Sequence, residues 1–365
     1  MTDAQAFRAQ FPVLARVSYL NAGTTGPVPA AAAEAVHRRI DEEVTGGRCG
    51  RPYFDGVIGL ARAQSAGYAK LLGCDPSDVA LTGSTTDGVN TVISALDLRP
   101  GDEILTSDEE HPGLLAPLGR ARRRDRVKIR VVPFAELAGA VSPATRLIAC
   151  SHVSWVSGRV ADTESLAATG VPVLLDAAQA LGAVPANVAE LKCDYYAASG
   201  QKWLCGPEGS GCLYVNKERL DELLIPWPGY ASLAAGEDPL ELIPAEGARR
   251  FDHGFPPGLR SAWAVASLAV FERAGWEWVH ERAARLAAAL AEQLAARGLD
   301  VWPRGRSTLV SWQADDAAAQ VERFAAAGYV VRSIPARGLI RASVGAWSSE
   351  DELHAFADLA ASANA

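Results

Sequence analysis

The chain has 365 residues, 49% of them hydrophobic, and can bury one large core and a smaller one, because single cores rarely grow beyond roughly 250 to 300 residues. Its 35 basic and 43 acidic residues give a formal net charge of −8. That balance offers no electrostatic reason to bind nucleic acid or an anionic membrane surface. Composition therefore favours a protein that acts on small molecules.

The six cysteines show no metal-ligand spacing, and we interpret them as reduced, mainly buried thiols rather than as a metal or disulfide framework. Residues 1–14 carry interspersed charges without an apolar targeting segment. No run of about 18 apolar residues occurs in the chain. We therefore expect a cytoplasmic protein.

The first elements are short. Residues 1–15 predict a helix and a lead-in, and a turn of small residues follows at 19–27, which includes Gly23 and where backbone can approach a ligand closely. A helix is predicted next, beginning near Pro29 and ending at the glycine pair 46–47. Its apolar residues recur at every fourth position, so we expect a packing element: Val36, Ile40 and Val44.

From residue 79 the chain alternates short apolar runs with helical stretches, which predicts a mostly parallel, doubly wound sheet with helices on both faces. The predicted strands are residues 79–82, 103–106, 128–132, 147–151, 173–175 and 212–215. Ligands bind beyond the carboxyl ends of the strands in such sheets. Chemically suggestive residues follow those ends: Ser84, Thr85, Thr86, His111, Trp155 and Asp176.

A less regular connection at 226–257 marks the predicted domain boundary. We expect a large domain at 16–255 and a small domain made of 1–15 and 256–365. Long helices dominate after residue 262, and one of them carries a leucine stripe with Gly298 at its end: Leu286, Leu290 and Leu294. Strands near 308–312 and at 339–343 should make the small domain α+β.

The stretch 194–211 places Lys202 between a turn of small residues and a glycine-rich turn, where backbone and a phosphate can approach an amine closely. Upstream, an apolar run at 171–175 predicts a buried strand that ends in Asp176. An imine-forming lysine and an aspartate that keeps a pyridinium protonated are what pyridoxal 5′-phosphate (PLP) requires. A lone lysine would more often be a solvated surface residue. The prediction of a PLP site therefore depends on the combination of Lys202 with Asp176.

The loop 82–88 (TGSTTDG) joins a predicted strand to a predicted helix. Free backbone N–H groups and hydroxyls at the positive end of a helix form a phosphate cradle. A Ser/Thr N-cap without a ligand uses the same residue types. The loop alone leaves both interpretations open.

Residues 176–179 (DAAQ), 199–203 (SGQKW) and 206–209 (GPEG) resemble class V aminotransferase-fold PLP enzymes of fold type I. That group includes cysteine desulfurases, isopenicillin-N-epimerase-like proteins and cyst(e)ine C–S lyases. The resemblance covers nearly the whole chain. It implies a large PLP-binding α/β domain, a small C-terminal α+β domain, and a homodimer in which the partner subunit completes each site.

The resemblance also implies cofactor roles. Lys202 would carry PLP, Asp176 would face its ring nitrogen, His111 would stack on the ring, and Gln179 would bond its phenolic oxygen. The phosphate would be held by the loop after the first predicted strand, by a serine of the lysine segment, and by the residue before the lysine: Ser84, Thr85, Thr86, Ser199 and Gln201.

Two positions depart from the family pattern. Gln201 stands where most members have histidine, although an amide can still donate a hydrogen bond. Phe255 stands where a threonine usually reaches the phosphate of the neighbouring subunit. Because phenylalanine cannot donate a hydrogen bond, that contact between subunits stays open.

The substrate side of the site follows from the same resemblance. Arg341 would clamp the α-carboxylate, for which a planar guanidinium is suited, and Arg332 would hold a distal carboxylate as in cystine. Trp155 stands where desulfurases have asparagine, as in the lyases. Gly23 lies in the segment that borders the substrate, and Tyr230 falls where an aromatic neighbour is expected.

Cysteine desulfurases carry an acceptor cysteine on a loop that corresponds to 333–338, where this chain has none. Cys205 lies close to Lys202, and we interpret it as a structural thiol. We therefore expect a PLP-dependent C–S β-lyase that acts on cystine, cysteine or a related S-substituted cysteine. The alternatives are a class V aminotransferase or epimerase acting on another amino acid, and a non-catalytic PLP-binding homologue, which the residues at 201 and 255 motivate.

Overall fold

The computed structural model describes residues 3–236 and 238–364. Residues 1 and 2 of the predicted N-terminal segment, residue 237 of the predicted connection and the last residue of the predicted small domain, residue 365, lie outside this range. The helices are α1 Ala4–Arg8, α2 Ala30–Gly46, α3 Gly50–Leu72, α4 Thr85–Ala95, α5 Pro112–Arg124, α6 Thr163–Ala168, α7 Val188–Leu191, α8 Gly258–Ala274, α9 Trp276–Ala296, α10 Ala317–Ala326 and α11 Glu350–Asn364.

The strands are β1 Ser18–Tyr19, β2 Val79–Thr82, β3 Glu103–Ser107, β4 Lys128–Val132, β5 Thr145–Ser151, β6 Val173–Asp176, β7 Tyr195–Ser199, β8 Gly211–Val215, β9 Leu309–Gln313, β10 Tyr329–Val330, β11 Arg332–Ile334 and β12 Leu339–Ser343. Seven of them form one sheet in the order β2-β8-β7-β6-β5-β3-β4. Only β8 runs antiparallel to its neighbours, β2 and β7. The predicted α/β fold with a mostly parallel sheet is confirmed.

Both faces of this sheet are covered, as its continuous apolar runs predict. Successive residues of β5 belong to two different apolar clusters, Leu147 and Ala149 to one, Ile148 and Cys150 to the other. This alternation follows from the two-residue repeat of a strand. Because both faces of the sheet are covered, a site can form only at the ends of its strands.

A second, three-stranded antiparallel sheet has the order β11-β12-β9. In it Arg332 lies directly opposite Arg341. The leucine stripe of α9 is fully buried in a third apolar cluster, as the sequence predicts. Gly298, two residues after α9, has a φ of 85° and takes the left-handed conformation expected after a helix end.

The helix α2 has its predicted position, and Gly47 follows it with a φ of 76°. The helix packs against α8, but the prediction that it packs through its apolar stripe is wrong for the single chain, because Ile40 is 40% and Val44 is 77% exposed. Helical periodicity identifies an apolar stripe without showing what covers it. The stripe is thus an uncovered apolar surface of this chain.

The N-terminal segment lies against the C-terminal part of the chain. β1 pairs with β10, and the rings of Phe7 and Phe11 contact that of Phe271. The division at residues 255 and 256 stays a prediction.

All six cysteines are free, as expected from their spacing, and four of them are buried: Cys150, Cys193, Cys205 and Cys212. Cys74 is half-buried and Cys49 is exposed. Among the described residues, no helix has the length and apolar character needed to cross a membrane.

Candidate active site

Neighbouring strands of the large sheet bring the predicted cofactor residues together at one edge. Asp176 is the last residue of β6 and pairs in register with Ser151 at the end of β5. His111 follows β3 and Trp155 follows β5, and their rings meet edge to face with centroids 4.8 Å apart. The site therefore forms where the carboxyl ends of parallel strands meet, as the fold predicts.

Asp176 and Lys202 influence each other electrostatically. Burial raises the pKa of Asp176, against a hydrogen bond from the Ala178 N–H at 2.9 Å and the charge of Lys202, which both lower it. Burial lowers the pKa of Lys202 to about 8, while Asp176 opposes the shift and Arg341 and Arg332 add to it. An amine with this pKa is partly neutral near pH 7 and can act as a nucleophile or a base.

The turn at 19–27 is tied to the lysine segment. Gln179 Nε2 donates to the Gly23 carbonyl at 2.7 Å, and Gln179 Oε1 accepts from Trp203 Nε1 at 3.2 Å. The Gly26 N–H donates to the Gln201 carbonyl at 2.7 Å. These bonds hold the Gln179 amide and the turn beside Lys202.

Gly23 has no room for a side chain. A Cβ there would lie 2.7 Å from Arg341 Nη2, from Gln179 Oε1 and from Ser343 Oγ. The backbone of the turn therefore comes close to both a predicted cofactor residue and a predicted substrate residue. Only glycine permits this approach.

The loop before α4 fits a phosphate. Ser84 caps the helix, since its Oγ accepts from the Asp87 N–H at 3.1 Å. Thr85 Oγ1, Ser199 Oγ and Gln201 Oε1 are buried without a hydrogen-bond partner in the described structure. Buried hydroxyls normally have partners, and phosphate oxygens at a helix N-terminus would supply them. The loop thus caps α4 through Ser84 and leaves the Thr85 hydroxyl available, and phosphate binding there stays a prediction.

Thr86 lies beside the segment that carries the predicted stacking histidine. Its Oγ1 would be 2.5 Å from a Cβ at Gly113, and the Gly113 N–H donates to His111 Nδ1 at 2.9 Å. Burial, together with the charges of Lys202 and Arg332, lowers the pKa of His111 to about 4. The imidazole is therefore neutral at physiological pH.

Arg341 is fully buried, and within the described structure its side chain makes one hydrogen bond, from Nη1 to the Trp155 carbonyl at 2.7 Å. Its Nε and Nη2, and the Oγ of Ser343, have no partner among the described residues. Burial and the charge of Arg332 lower the pKa of Arg341 to about 9. Two free donors on one edge of a guanidinium match a carboxylate.

Arg332 lies beside Arg341 on the adjacent strand β11 and is more open. Its Nη1 donates to Thr24 Oγ1 and its Nε to the Ser333 carbonyl, each at 3.2 Å. Burial lowers its pKa. Two cationic groups are therefore close enough to Lys202 to add to the lowering of its pKa by burial.

Two predicted neighbours lie apart from this cluster. Tyr230 is 92% exposed, and no hydrogen bond or ring contact joins it to these residues in the described structure. Phe255 is exposed and packs edge to face on Phe54, with centroids 5.7 Å apart. Cys205 is buried with a φ of 53°, and burial raises the pKa of its thiol well above its usual range.

Sequence reasoning gave no role to several residues of the site. Trp203 holds Gln179, and Ser343 shares the face of β12 with Arg341. Glu110 is buried, accepts from the Ser151 N–H at 2.9 Å, and has a pKa raised to about 7 by burial. The sequence offered one signal for each of them, which is that it lies within two positions of a predicted site residue.

The model of the family Aminotransferase class-V matches residues 53–318. The chain belongs to the class V aminotransferase family. The family resemblance and the fold type I prediction are thereby confirmed, and with them PLP as the cofactor of this class V enzyme.

Curated relatives of this class V protein have different names. Isopenicillin N epimerase of Streptomyces clavuligerus is 32% identical over 71% of this chain and 67% of its own length. Cysteine desulfurase CsdA of Escherichia coli K12 is 32% identical over 61% of this chain and 60% of its own. Each match thus spans about two thirds or less of the curated relative.

Solved structures match over nearly the whole chain. The cystine C–S lyase C-DES, in complex with its reaction product cysteine persulfide, has a TM-score of 0.90 at 28% identity, covering 96% of this chain and 99% of that one. A C-DES mutant with glycine covalently linked to its PLP cofactor has a TM-score of 0.91, also at 28% identity, covering 97% and 98%.

The charges around Lys202 predict that two variants shift its pKa in opposite directions. In the PLP-free protein, Asp176→Asn should lower the pKa of Lys202 below about 8, because a charge that raises it is removed. Arg341→Gln should raise it. The pH dependence of the rate at which Lys202 incorporates PLP measures both pKa values. Shifts in the same direction would contradict the proposed coupling.

Proposed function

We propose that this protein is a PLP-dependent C–S β-lyase that cleaves cystine, cysteine or a related S-substituted cysteine to pyruvate, ammonia and a thiol or persulfide. The observation that carries the proposal is the pair Arg332 and Arg341, which lie opposite each other on β11 and β12 and both lower the pKa of Lys202. Two cations beside one reactive amine suit a substrate with two carboxylates. The match with a cystine C–S lyase supports the same substrate class.

The residues divide the work of this reaction. PLP, when bound, supplies an electron sink for the substrate carbon next to the amine. Asp176 would hold the proton on the ring nitrogen, and Thr85 with Ser199 would hold the phosphate. Lys202 would attach the cofactor and, once the substrate amine displaces it, accept the Cα proton at Nζ. Arg341 would fix the α-carboxylate and so orient the Cα–H bond.

The reaction requires no protein thiol. The loop 333–338 has no cysteine, and the buried Cys205 has a pKa too high for a thiolate at physiological pH. Without an acceptor, sulfur would leave with its fragment by β-elimination.

A second candidate is an epimerase or aminotransferase acting on another amino acid, favoured by the match with isopenicillin N epimerase. The same lysine and arginine would serve that reaction. A non-catalytic PLP-binding homologue has only the residues at 201 and 255 in its favour.

Product analysis separates these candidates. With cystine, cysteine and S-methylcysteine, the PLP-loaded protein should release pyruvate and the sulfur product of elimination, which is cysteine persulfide, hydrogen sulfide and methanethiol, respectively. Lys202→Ala should release neither, and borohydride should no longer fix PLP covalently to the chain, whereas the matched variant Lys192→Ala should behave like the wild type. A racemised amino acid or a sulfur-retaining keto acid as main product would support the second candidate instead.

The two arginines should differ in substrate dependence. Arg341→Ala should impair every cysteine derivative, because each has an α-carboxylate. Arg332→Ala should raise KM for cystine roughly ten- to hundredfold, the effect of losing one charge-assisted bond, and change KM for S-methylcysteine little. Arg323→Ala, at an exposed position of α10, is the control. Equal losses for all substrates in Arg332→Ala would leave that arginine with a structural role only.

We also propose that the protein is a homodimer. Large exposed apolar side chains lie on α2, on α3 and before α8: Ile40, Val44, Phe54, Ile58 and Phe255. Exposed apolar patches mark interaction sites, and two-fold pairs are the commonest assembly. Val44→Asp should raise the dimer dissociation constant by about tenfold or more, because a charge would be buried.

Light scattering across a concentration series measures this effect. The matched control is Val131→Asp on the edge strand β4, where Val131 is also exposed. A wild-type protein that is monomeric and still active would contradict the proposal, as would equal dissociation in the two variants.

A further inference from the structure

Glu109 is a buried carboxylate in the segment between β3 and α5, two residues before His111. Its Oε2 accepts hydrogen bonds from Ser154 Oγ and from Ser157 Oγ, each at 2.5 Å. Its Oε1 lies 3.5 Å from Arg159 Nη1. A buried carboxylate requires such partners, and all of them belong to one loop, residues 154–159.

The same two hydroxyls organise the backbone of this loop. Ser154 Oγ accepts from the N–H groups of Val156 at 3.2 Å and of Ser157 at 3.1 Å. Ser157 Oγ accepts from the Arg159 N–H at 3.1 Å. A hydroxyl has a single proton to donate. Donation to Glu109 therefore turns the lone pairs of both serines towards the loop N–H groups.

Trp155, in the middle of this loop, touches two residues of the site. Its carbonyl accepts the one hydrogen bond that the Arg341 side chain makes among the described residues, and its ring packs on that of His111. The orientation of the Arg341 guanidinium thus depends on where the loop places the Trp155 carbonyl. With Nη1 held there, Nε and Nη2 remain free for a ligand.

We propose that Glu109 is a positioning residue for substrate binding. Through Ser154 and Ser157 it fixes the Trp155 carbonyl, and through that carbonyl it aims the free donors of Arg341 at the α-carboxylate of an amino acid. The inference rests on the proposed function, because it takes Arg341 as the residue that binds the α-carboxylate.

The test compares two ligands of the PLP-loaded protein by the absorbance of the bound cofactor. L-Alanine has an α-carboxylate but no β leaving group, and ethylamine has no carboxylate. Glu109→Leu should weaken the binding of L-alanine roughly tenfold, since one charged contact loses its alignment, and leave ethylamine binding within about twofold. Glu109→Gln keeps an acceptor oxygen and should lose less.

Glu103 provides a matched control at the opposite end of β3. It is also a buried carboxylate that accepts from two hydroxyls, Thr145 Oγ1 at 2.8 Å and Ser142 Oγ at 3.1 Å. Glu103→Leu should lower Tm as Glu109→Leu does, because each substitution leaves hydroxyl groups without their hydrogen-bond acceptor. It should leave the ratio of the two ligand affinities unchanged.

Unchanged L-alanine affinity in Glu109→Leu, or equal losses for both ligands, would overturn the proposal. If that variant does not fold, the double variant Ser154→Ala/Ser157→Ala takes its place, with the same expected loss for L-alanine alone. Arg341→Ala separates the two levels of inference. Wild-type L-alanine affinity in that variant would remove the proposed role of Arg341 itself, whatever Glu109 does.

Discussion

A fully buried guanidinium with two unpartnered nitrogens is costly, because a buried charge is stable only when it is paired. Among the residues that the structure describes, Arg341 is such a group, and parts of the chain far apart in sequence surround it. β12 holds it at the centre of the small sheet, the Trp155 carbonyl gives it one hydrogen bond, and Gly23 leaves open the space beside Nη2. A bound carboxylate would supply the missing partners. Without it, the preformed anion site lowers the stability of the folded chain.

This prepared charge also acts on the chemistry beside it. Burial is the largest cause of the lowered pKa of Lys202, and Arg341 and Arg332 add to it, against Asp176. In the proposed reaction, the carboxylates of the substrate would neutralise the two arginines. The depression of the Lys202 pKa would then diminish, and the amine would become a stronger base when it has to accept the Cα proton. Substrate binding and base strength would thus be coupled through the arginine pair.

The sequence predicted the parts of the site that have a local pattern. Apolar runs located six strands of the large sheet, and the residues at their ends located Asp176 and His111. β7 was missed, because its two tyrosines favour a strand but the alanines that follow them do not. Hydrogen bonds between distant segments, such as those of Glu109 with Ser154 and of Trp203 with Gln179, cannot be recognised from a short stretch of sequence. For the same reason periodicity found the α2 stripe without showing that it is uncovered.

The arrangement of the arginines bears on the order of product release in the proposed reaction. Cleavage of the C–S bond of cystine would leave a sulfur fragment that keeps its own carboxylate, the group assigned to Arg332. Arg332 is half-buried and lies beside Thr24 of the turn at 19–27, whereas Arg341 is enclosed. The fragment at the more open arginine could therefore leave while the carbon skeleton stays at Arg341. Since no acceptor thiol lies in the loop 333–338, departure into solvent is the route that remains for the sulfur.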